Sequence, residues 1–273
     1  MHALITNDDG IDSEGIHVLA RFVEQAGFEV TVIAPSYNAS GTGASLGHLS
    51  LETPIKYQTH TIEGLKGKAY GLDGPPALCT ITGHLEGLCK APDIVVSGIN
   101  AGLNTGRSVL HSGTVGAALA AQNFGMRGIA VSLDTADEWF WETAGSLTAD
   151  LLPALVEGPE RCVLNLNVPA LPLDAVKGIR WAGLAAFGSV RSQITDSKEG
   201  ALFFDLVETD YEPPLETDLG LVRSGYAAIT ALHGTSEVWH NRAEPGDEFE
   251  PAHGVPGASA YGDIRPASVF LTR

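Results

Sequence analysis

The chain has 273 residues, 44% of them hydrophobic, and a formal net charge of −17 at pH 7. This length suits one large α/β domain with an appendage, or two small domains. Because 33 acidic residues face only 16 basic ones, neither a nucleic-acid polymer nor an anionic membrane is expected as a partner, since both select basic surfaces. A small anionic substrate stays compatible with this charge if a cation and backbone N–H groups supply local positive charge.

The three cysteines, Cys79, Cys89 and Cys162, are sparse and lack the spacing of metal ligands. Such a set is typical of free, buried thiols in a reducing compartment, with the first two in a helical region and the third in a strand. The N-terminus has the pattern of a strand, not of a signal peptide, and no apolar run approaches the length of a membrane span. These features predict a soluble, cytoplasmic protein.

The first predicted strand ends in two adjacent carboxylates, Asp8 and Asp9, and then Gly10. A helix from about 15 to 25 follows, and the polar residues at 12–14 suit its start. In an open α/β sheet, ligands bind outside the carboxyl ends of the strands. Two neighbouring acids hold a proton unless a cation relieves their repulsion, so the pair indicates a hard-metal site. The alternative is an ordinary acidic turn, which the helix dipole also favours.

Strands and helices alternate along most of the chain. The β-branched run at 29–35 ends in a proline and completes a βαβ unit, whose crossover is right-handed. This alternation predicts an α/β fold with a mostly parallel sheet flanked by helices. Further strands are predicted at 92–100, 128–133, 162–169 and 226–232, and further helices at 77–89, 139–155 and 215–222, with one more ending near 124.

Short alternating segments mark two other parts of the chain. Residues 51–70 predict edge strands or a hairpin, and segments such as 201–206 predict β-hairpins that project from the core. We therefore divide the chain into an α/β core at 1–175 and a C-terminal part at 176–273. The second part contains hairpins, a returning helix and strand, and a Gly- and Pro-rich tail that packs on the core or on a neighbouring subunit.

Polar residues follow three of the predicted strands. Besides Asp8 and Asp9, these are Ser40, in a glycine-bearing loop after the second strand, and Asn100. In a parallel sheet all of these strand ends meet at one edge. Two carboxylates, a hydroxyl and an amide oxygen form an all-oxygen set that suits a hard divalent cation completed by water.

A second motif, Ser112-Gly113-Thr114, precedes a helix of small residues. Ser112 or Thr114 can cap this helix, and its free N–H groups and dipole make an anion site. A phosphate bound there would lie beside the candidate cation. The alternative is ordinary capping combined with close packing of the helix.

Five spaced motifs resemble those of one known family. They are Thr-Asn-Asp-Asp-Gly-Ile at 6–11, Ala-Pro at 34–35 with Ser-Gly at 40–41, Ser-Gly-Ile-Asn at 97–100 with Gly102 and Asn104, Ser-Gly-Thr-Val-Gly-Ala-Ala at 112–118, and Leu-Asn-Leu-Asn-Val-Pro at 164–169. From the first strand to about Thr230, the chain resembles the SurE (survival protein E) family of metal-dependent 5′/3′-nucleotidases with acid phosphatase activity.

The resemblance implies a Rossmann-like core with a C-terminal β-hairpin or extension that exchanges between subunits to give homodimers or homotetramers. It also implies one divalent metal ion, Mg²⁺ or Mn²⁺, with Ca²⁺ as a further option in crystals. The implied metal ligands are Asp8, Asp9, Ser40 and Asn100. The implied substrate contacts are Asn104 and Ser112-Gly113-Thr114, to which we add Gly41, Arg107 and His111. The predicted catalytic set is Asp8, Asp9, Asn100 and Ser112.

Three departures from the family pattern flank the predicted site. His111 stands where Tyr is usual, Arg107 where a small or acidic residue is usual, and Leu78 where the family has Asp. Arg107 either binds a substrate phosphate bidentately or is a solvated loop arginine. His111 is either a general acid for the leaving oxygen or a packed, hydrogen-bonded histidine. These changes bear on the identity of the substrate more than on the chemistry.

The favoured function is a phosphomonoesterase that hydrolyses nucleoside 5′/3′-monophosphates with a metal-activated water, although an Asp acting as base or nucleophile stays open. Within the same class, a dedicated phosphatase for one pathway intermediate is the alternative. A nucleotide- or metabolite-binding regulator without turnover is the alternative from another class. A deacetylase is disfavoured because no His neighbours the acids, and a dinucleotide dehydrogenase because no Gly-x-Gly-x-x-Gly follows the first strand. The expected partners are a small phosphorylated substrate and further copies of the chain.

Overall fold

Strands and helices alternate through the part of the chain that the computed structural model describes, residues 1–235. The strands are β1 (His2–Thr6), β2 (Glu29–Pro35), β3 (Tyr57–His60), β4 (Lys68–Leu72), β5 (Ile94–Ala101), β6 (Arg127–Leu133), β7 (Val163–Val168), β8 (Ile179–Trp181), β9 (Val190–Lys198), β10 (Ala201–Glu208) and β11 (Ala227–Leu232). The helices are α1 (Glu14–Gln25), α2 (Pro76–His84), α3 (Gly113–Asn123), α4 (Trp141–Glu157) and α5 (Asp218–Arg223), with 3₁₀ helices at Gly106–His111 and Leu173–Ala175.

Nine of these strands form one sheet, in the order β3-β4-β2-β1-β5-β6-β7-β11-β8. The central strands are parallel, and only β3 with β4 and β11 with β7 pair in the antiparallel sense. The prediction of a mostly parallel α/β sheet flanked by helices is confirmed. Because β1, β2, β5, β6 and β7 run in the same direction, their carboxyl ends, which carry the predicted site residues, lie at one edge.

Helices cover both faces of the sheet, and this explains why the residues of its central strands are buried almost without interruption. Ile5 belongs to a core cluster that also contains Leu19 of α1 and Leu152 of α4. Leu4, the preceding residue, belongs to a second cluster with Leu78 of α2 and Ala121 of α3. Successive side chains of a strand point to opposite faces, so α1 with α4 and α2 with α3 form the two outer layers.

The end of α2 was predicted incorrectly. The helix stops at His84 rather than near 89, and Glu86 adopts a left-handed conformation with φ 57°. Glycines at 83 and 87 weaken this segment as a helix, because glycine costs about 1 kcal/mol relative to alanine there. As a result Cys89 lies beyond the helix and is only half-buried, whereas Cys79 and Cys162 are buried as expected.

The predicted hairpin after residue 178 is present as β9 and β10, which pair with each other in a separate two-stranded sheet. By contrast, β11 joins the main sheet beside β7, and Met1–Leu232 form one compact unit. The division of the chain at residue 175 stays a prediction. The predicted packing of the Gly- and Pro-rich tail concerns residues that lie outside the described part of the chain. Within residues 1–235 no helix combines the length and apolarity that crossing a membrane requires.

Candidate active site

The turn after β1 presents the two carboxylates at the carboxyl edge of the sheet. Asp8 is buried and Asp9 is half-buried. The Asn7 amide donates to the Gly10 carbonyl (2.9 Å) and to Ser13 Oγ (2.7 Å), and its oxygen accepts from the Gly10 N–H (3.2 Å). Gly10 has φ 103°, which only glycine adopts easily. These bonds hold the turn in a shape that directs both acids towards the sheet edge.

The surroundings of both acids raise their pKa values. Burial raises the pKa of Asp8, and a hydrogen bond from the Thr114 hydroxyl opposes the rise. Burial, and then the nearby charge of Asp8, raise the pKa of Asp9 from 3.8 to about 6, while the Ala101 N–H opposes this rise. Two acids that are costly to ionise together form a site that a divalent cation would stabilise.

Asn100 and Thr114 meet Asp8 at this edge. The Thr114 hydroxyl lies 2.5 Å from Asp8 Oδ1, to which it donates, and 3.4 Å from Asn100 Oδ1. The Asn100 amide nitrogen donates to the Gly102 carbonyl at 2.7 Å, which turns its oxygen towards Thr114. The Ala101 N–H lies 3.3 Å from Asp9 Oδ2. The structure therefore joins Asp8, Asp9, Asn100 and Thr114 in one contact group.

The loop after β2 packs against the same group. The Ala39 N–H donates to the Asp8 carbonyl at 2.7 Å, and Ser40 follows directly with an exposed side chain. Asn38 accepts from the Ser40 N–H at 2.9 Å, and the Gly43 N–H donates to the His111 carbonyl at 3.1 Å. Ser40 and the exposed Gly41 thus follow, by one and two residues, a backbone contact to Asp8.

The start of α3 lies against Asp8. Ser112 is the N-cap and accepts from the Val115 N–H at 3.1 Å, so of the two predicted capping residues Ser112 is the one used. A Cβ on Gly113 would lie 2.7 Å from Asp8 Cβ, and one on Gly116 only 2.2 Å from the Gly43 carbonyl oxygen. Glycine at both positions lets the amino end of the helix approach the carboxylate and its loop.

A row of polar residues crosses the ends of three neighbouring strands. Asn100 on β5 pairs with Ser132 on β6, which pairs with Asn167 on β7. The Asn104 amide donates to Ser132 Oγ at 2.9 Å, and its backbone N–H donates to Asn167 Oδ1 at 2.8 Å. The Asn165 and Asn167 amides donate to the Asn104 carbonyl at 2.9 and 3.0 Å. Asn104 is therefore held rigidly beside Asn100.

Sequence reasoning assigned no role to Asn165 and Asn167, although the Leu-Asn-Leu-Asn alternation places both on one face of β7. It also missed Asp218 at the start of α5. This fully buried carboxylate accepts from the Gly106 N–H (2.8 Å), the Ala185 N–H (2.9 Å) and the Leu219 N–H (2.8 Å). Burial raises the pKa of Asp218, and these N–H groups oppose the rise. No local sequence pattern links positions 106 and 218.

Arg107 and His111 lie on the 3₁₀ helix Gly106–His111, between the Asn104 loop and Ser112. Both side chains are exposed. The structure therefore does not bury His111 as a packed histidine, and it leaves both side chains accessible to solvent or to a bound substrate.

The donor set determines which metal the site suits. Within residues 1–235, no group of three or more His, Cys, Asp and Glu side chains is arranged to hold a metal. A cation here would depend on Asp8 and Asp9 together with the Asn100 and Ser40 oxygens. Oxygen donors of this kind fit Mg²⁺, Mn²⁺ or Ca²⁺ and fit softer metals poorly.

Comparisons with known proteins all match one family. The family model described as Survival protein SurE matches residues 3–189. The 5′/3′-nucleotidase SurE of Erwinia tasmaniensis is 38% identical over 244 residues, which cover 85% of this chain and 90% of that protein. The 5′-nucleotidase SurE of Mannheimia succiniciproducens is 38% identical over 85% of this chain and 92% of its own. A crystal structure of the SurE protein from Aquifex aeolicus matches with a TM-score of 0.69 at 30% identity, covering 85% of this chain and 93% of the other.

Proposed function

This chain belongs to the SurE family, and from that premise we propose that it hydrolyses nucleoside 5′- and 3′-monophosphates in a reaction that requires a divalent cation. The observation that carries the proposal is the contact group of Asp8, Asp9, Asn100 and Thr114 at the amino end of α3. Curated relatives named as nucleotidases, at up to 38% identity over most of the chain, support the substrate class.

The metal centre we propose uses Asp8, Asp9, Asn100 and Ser40. When bound, a divalent cation would neutralise the two carboxylates, polarise a phosphoryl oxygen and lower the pKa of a water nucleophile. The Thr114 hydroxyl, which donates to Asp8 Oδ1, orients that carboxylate, and the backbone N–H groups of Gly113 and Thr114 are directed at it as well. The Asn100 oxygen is oriented in the same way by the bond from its amide to the Gly102 carbonyl.

The phosphate of the substrate binds, in this proposal, at the start of α3. The first N–H groups of a helix have no intrahelical partner and attract anions. Here Gly113 and Thr114 supply them: their N–H groups are directed at the Asp8 carboxylate, so a phosphate bound beside that carboxylate would lie within their reach. Ser112 holds the helix end in place. Charge that develops on the phosphoryl oxygens would meet these fixed donors, which need no rearrangement during the reaction. Asn104, Gly41, Arg107 and His111 are the further substrate contacts that we propose.

Phosphate release from a panel of substrates tests this function. The panel contains nucleoside 5′- and 3′-monophosphates and sugar phosphates, assayed with Mg²⁺, with Mn²⁺ and with EDTA. We expect release from the nucleoside monophosphates that EDTA abolishes and added cation restores. Release from one compound alone would indicate a dedicated pathway phosphatase, and no metal-dependent release from any compound would contradict the proposal.

An Asp8→Asn variant tests the role of the carboxylate in the same assay. Because the substitution removes charge at the proposed centre but little volume, we expect activity to fall by about 100-fold or more, as for the loss of one key polar group at a reaction centre. The thermal unfolding temperature should not fall. Full metal-dependent turnover by this variant would exclude Asp8 from the mechanism.

A further inference from the structure

Two stacked tryptophans precede and begin α4. The ring centroids of Trp139 and Trp141 are 4.7 Å apart, and their planes differ by 4°. Trp141 is 8% exposed, whereas Trp139 is 37% exposed. The inner ring is thus fixed by the fold, and the outer ring offers aromatic surface to solvent. No role for this pair follows from the proposed phosphate and metal contacts.

Contacts of the inner ring place the pair beside the candidate active site. A Cβ on Gly15 would lie 3.1 Å from Cζ3 of Trp141 and 2.2 Å from the Ile99 carbonyl oxygen. Ile99 directly precedes Asn100, and Gly15 belongs to the first turn of α1, which follows the Asp8-Asp9 turn. The ring of Trp141 therefore packs where β5 and α1 meet, next to the strand end that carries the site.

The segment that leads to Trp139 starts at the same edge. After β6, the Leu133 carbonyl accepts from the Gly102 N–H at 2.8 Å, and Thr135 Cγ2 lies 3.9 Å from the position of a Cβ on Gly102. Gly102 follows Ala101, whose N–H lies 3.3 Å from Asp9 Oδ2. The β6–α4 segment thus runs along the Asn100–Gly102 turn and ends at the tryptophan pair.

The pair and the proposed phosphate site belong to helices on opposite faces of the sheet. Helix α3, whose first N–H groups we assign to the phosphate, covers the face of the sheet shared with α2. The tryptophans begin α4, which covers the other face together with α1. A substrate with its phosphate at α3 and its reacting bond near Asp8 and Asp9 can therefore extend its remaining part towards Trp139.

We propose that Trp139 is a stacking surface for the base of the nucleoside monophosphate substrate. This inference rests on the proposed function and adds a base subsite to it. Every nucleobase has an apolar π face, so stacking on an aromatic ring accepts purines and pyrimidines alike. Trp141 holds the Trp139 ring parallel to itself, so less side-chain freedom is lost when a base binds. A site of this kind binds nucleotides without reading the hydrogen-bonding edge of the base.

Two substrates that differ only in the base test the subsite: adenosine 5′-monophosphate and ribose 5-phosphate. Steady-state kinetics of both are measured for the unmodified protein, Trp139→Ala, Trp139→Phe and Trp181→Ala. Trp181→Ala is the matched control, since Trp181 is an exposed tryptophan on β8, at the far edge of the sheet. For Trp139→Ala we expect KM for the nucleotide to rise about 5- to 100-fold, the usual cost of losing one base–aromatic stack.

The remaining kinetic constants complete the test. For Trp139→Ala, kcat and KM for ribose 5-phosphate and kcat for the nucleotide should stay near those of the unmodified protein. Trp139→Phe should return KM for the nucleotide most of the way to the unmodified value. Trp181→Ala should leave the kinetic constants of both substrates unchanged. An equal change for both substrates, or no change for the nucleotide, would overturn the base subsite. If the unmodified protein hydrolyses neither substrate with any cation, the proposed function itself fails. In that case, quenching of tryptophan fluorescence by adenosine tests the base subsite without turnover. Quenching that is lost in Trp139→Ala but kept in Trp181→Ala supports the subsite. Equal quenching in the unmodified protein and in Trp139→Ala overturns it.

Discussion

At the scale of single residues, the carboxyl groups of Asp8 and Asp9 act against the stability of the folded chain at neutral pH. Burial raises the pKa of Asp8, and burial together with the nearby charge of Asp8 raises the pKa of Asp9 to about 6. A group whose pKa is higher in the folded state stabilises the fold fully below its unfolded pKa of 3.8. That contribution is lost as the pH rises through the folded value. Metal-free protein should therefore lose stability between about pH 4 and pH 6.

Asp9→Asn tests how much the ionised Asp9 carboxylate lowers the free energy of unfolding at neutral pH. Since Asn carries no charge but keeps an oxygen for the Ala101 N–H, we expect the variant in EDTA at pH 7 to unfold with a free energy higher by about 1–3 kcal/mol. Its loss of stability between pH 4 and pH 6 should also be smaller. Urea unfolding across this pH range measures both, with Asp150→Asn on the exposed face of α4 as the control. Equal stability of the variant and the unmodified protein at pH 7 would contradict the raised pKa.

Thr114 is a second residue whose role the contacts define. Its hydroxyl donates to Asp8 Oδ1. Thr114→Val keeps the shape but loses this bond, so we expect kcat/KM to fall about 10- to 100-fold, as is typical when a group that orients a metal ligand is lost. More cation should also be needed for half-maximal activity. Thr114→Ser keeps a hydroxyl, so its kcat/KM and its cation requirement should stay close to those of the unmodified protein. The same cation requirement in all three proteins would mean that Thr114 does not orient a metal ligand.

At the scale of elements, α5 connects the substrate loop, by which we mean residues 104–111 with the proposed contacts Asn104, Arg107 and His111, to the segment that precedes the β9–β10 hairpin. Its first residue, Asp218, binds the N–H of Gly106, which begins the 3₁₀ helix with Arg107 and His111. The same carboxylate binds the N–H of Ala185, a few residues before β9. A helix of six residues thus sets the spacing between two loops that are far apart in sequence.

Asp218→Asn tests that connection. In the variant, the side-chain NH₂ group replaces one carboxylate oxygen and faces a backbone N–H, and two donors cannot form a hydrogen bond. At least one buried backbone N–H is therefore left unpaired, which costs about 1–3 kcal/mol of stability. We expect the unfolding temperature to fall and KM for the nucleotide to rise more than kcat falls, because the substrate loop is displaced while Asp8 and Asp9 are not. Asp174→Asn, at an exposed acid, is the control. A loss of stability with unchanged KM would reduce Asp218 to a purely structural residue.

At the scale of the whole molecule, β9 and β10 carry apolar side chains that no other part of residues 1–235 covers. Ile194, Phe203, Phe204 and Leu206 are all about half exposed or more, on a two-stranded sheet that pairs with no other described strand. An isolated hairpin is marginally stable in water, and exposed apolar strands are typical of contact surfaces. We propose that this hairpin contacts a second copy of the chain, in a homodimer or homotetramer.

Sedimentation equilibrium tests the assembly. We expect the unmodified protein to have the mass of two or four chains, and Phe204→Asp to shift it towards a single chain, because a charge at an apolar contact must be desolvated without a partner. Thr195→Asp adds the same charge to a polar position of the hairpin and should have less effect. A single-chain mass for the unmodified protein would contradict the proposal. An unchanged mass for Phe204→Asp would remove the hairpin from the interface.

Much of this protein follows from local patterns in the sequence. The apolar run that stops at Asp8 and Asp9, the β-branched strand at 29–35 and the Ser112 cap are determined by neighbouring residues, so each could be predicted. The parallel order of strands then places Asp8, Ser40 and Asn100 at one edge without further information. The end of α2 near His84 was missed because the helical and turn conformations of the glycine-containing segment up to Glu86 differ little in free energy.

Only the tertiary structure decided which side chains touch. The bond from Thr114 to Asp8 joins residues 106 positions apart, and that from Gly106 to Asp218 joins residues 112 apart. The row of Asn100, Ser132 and Asn167 depends on strand register, and the stack of Trp139 on Trp141 lies beside Gly15 only because α1 and α4 share one face of the sheet. Residue type and local spacing determine secondary structure, whereas these contacts depend on register and helix packing, which arise from the free energy of the whole core.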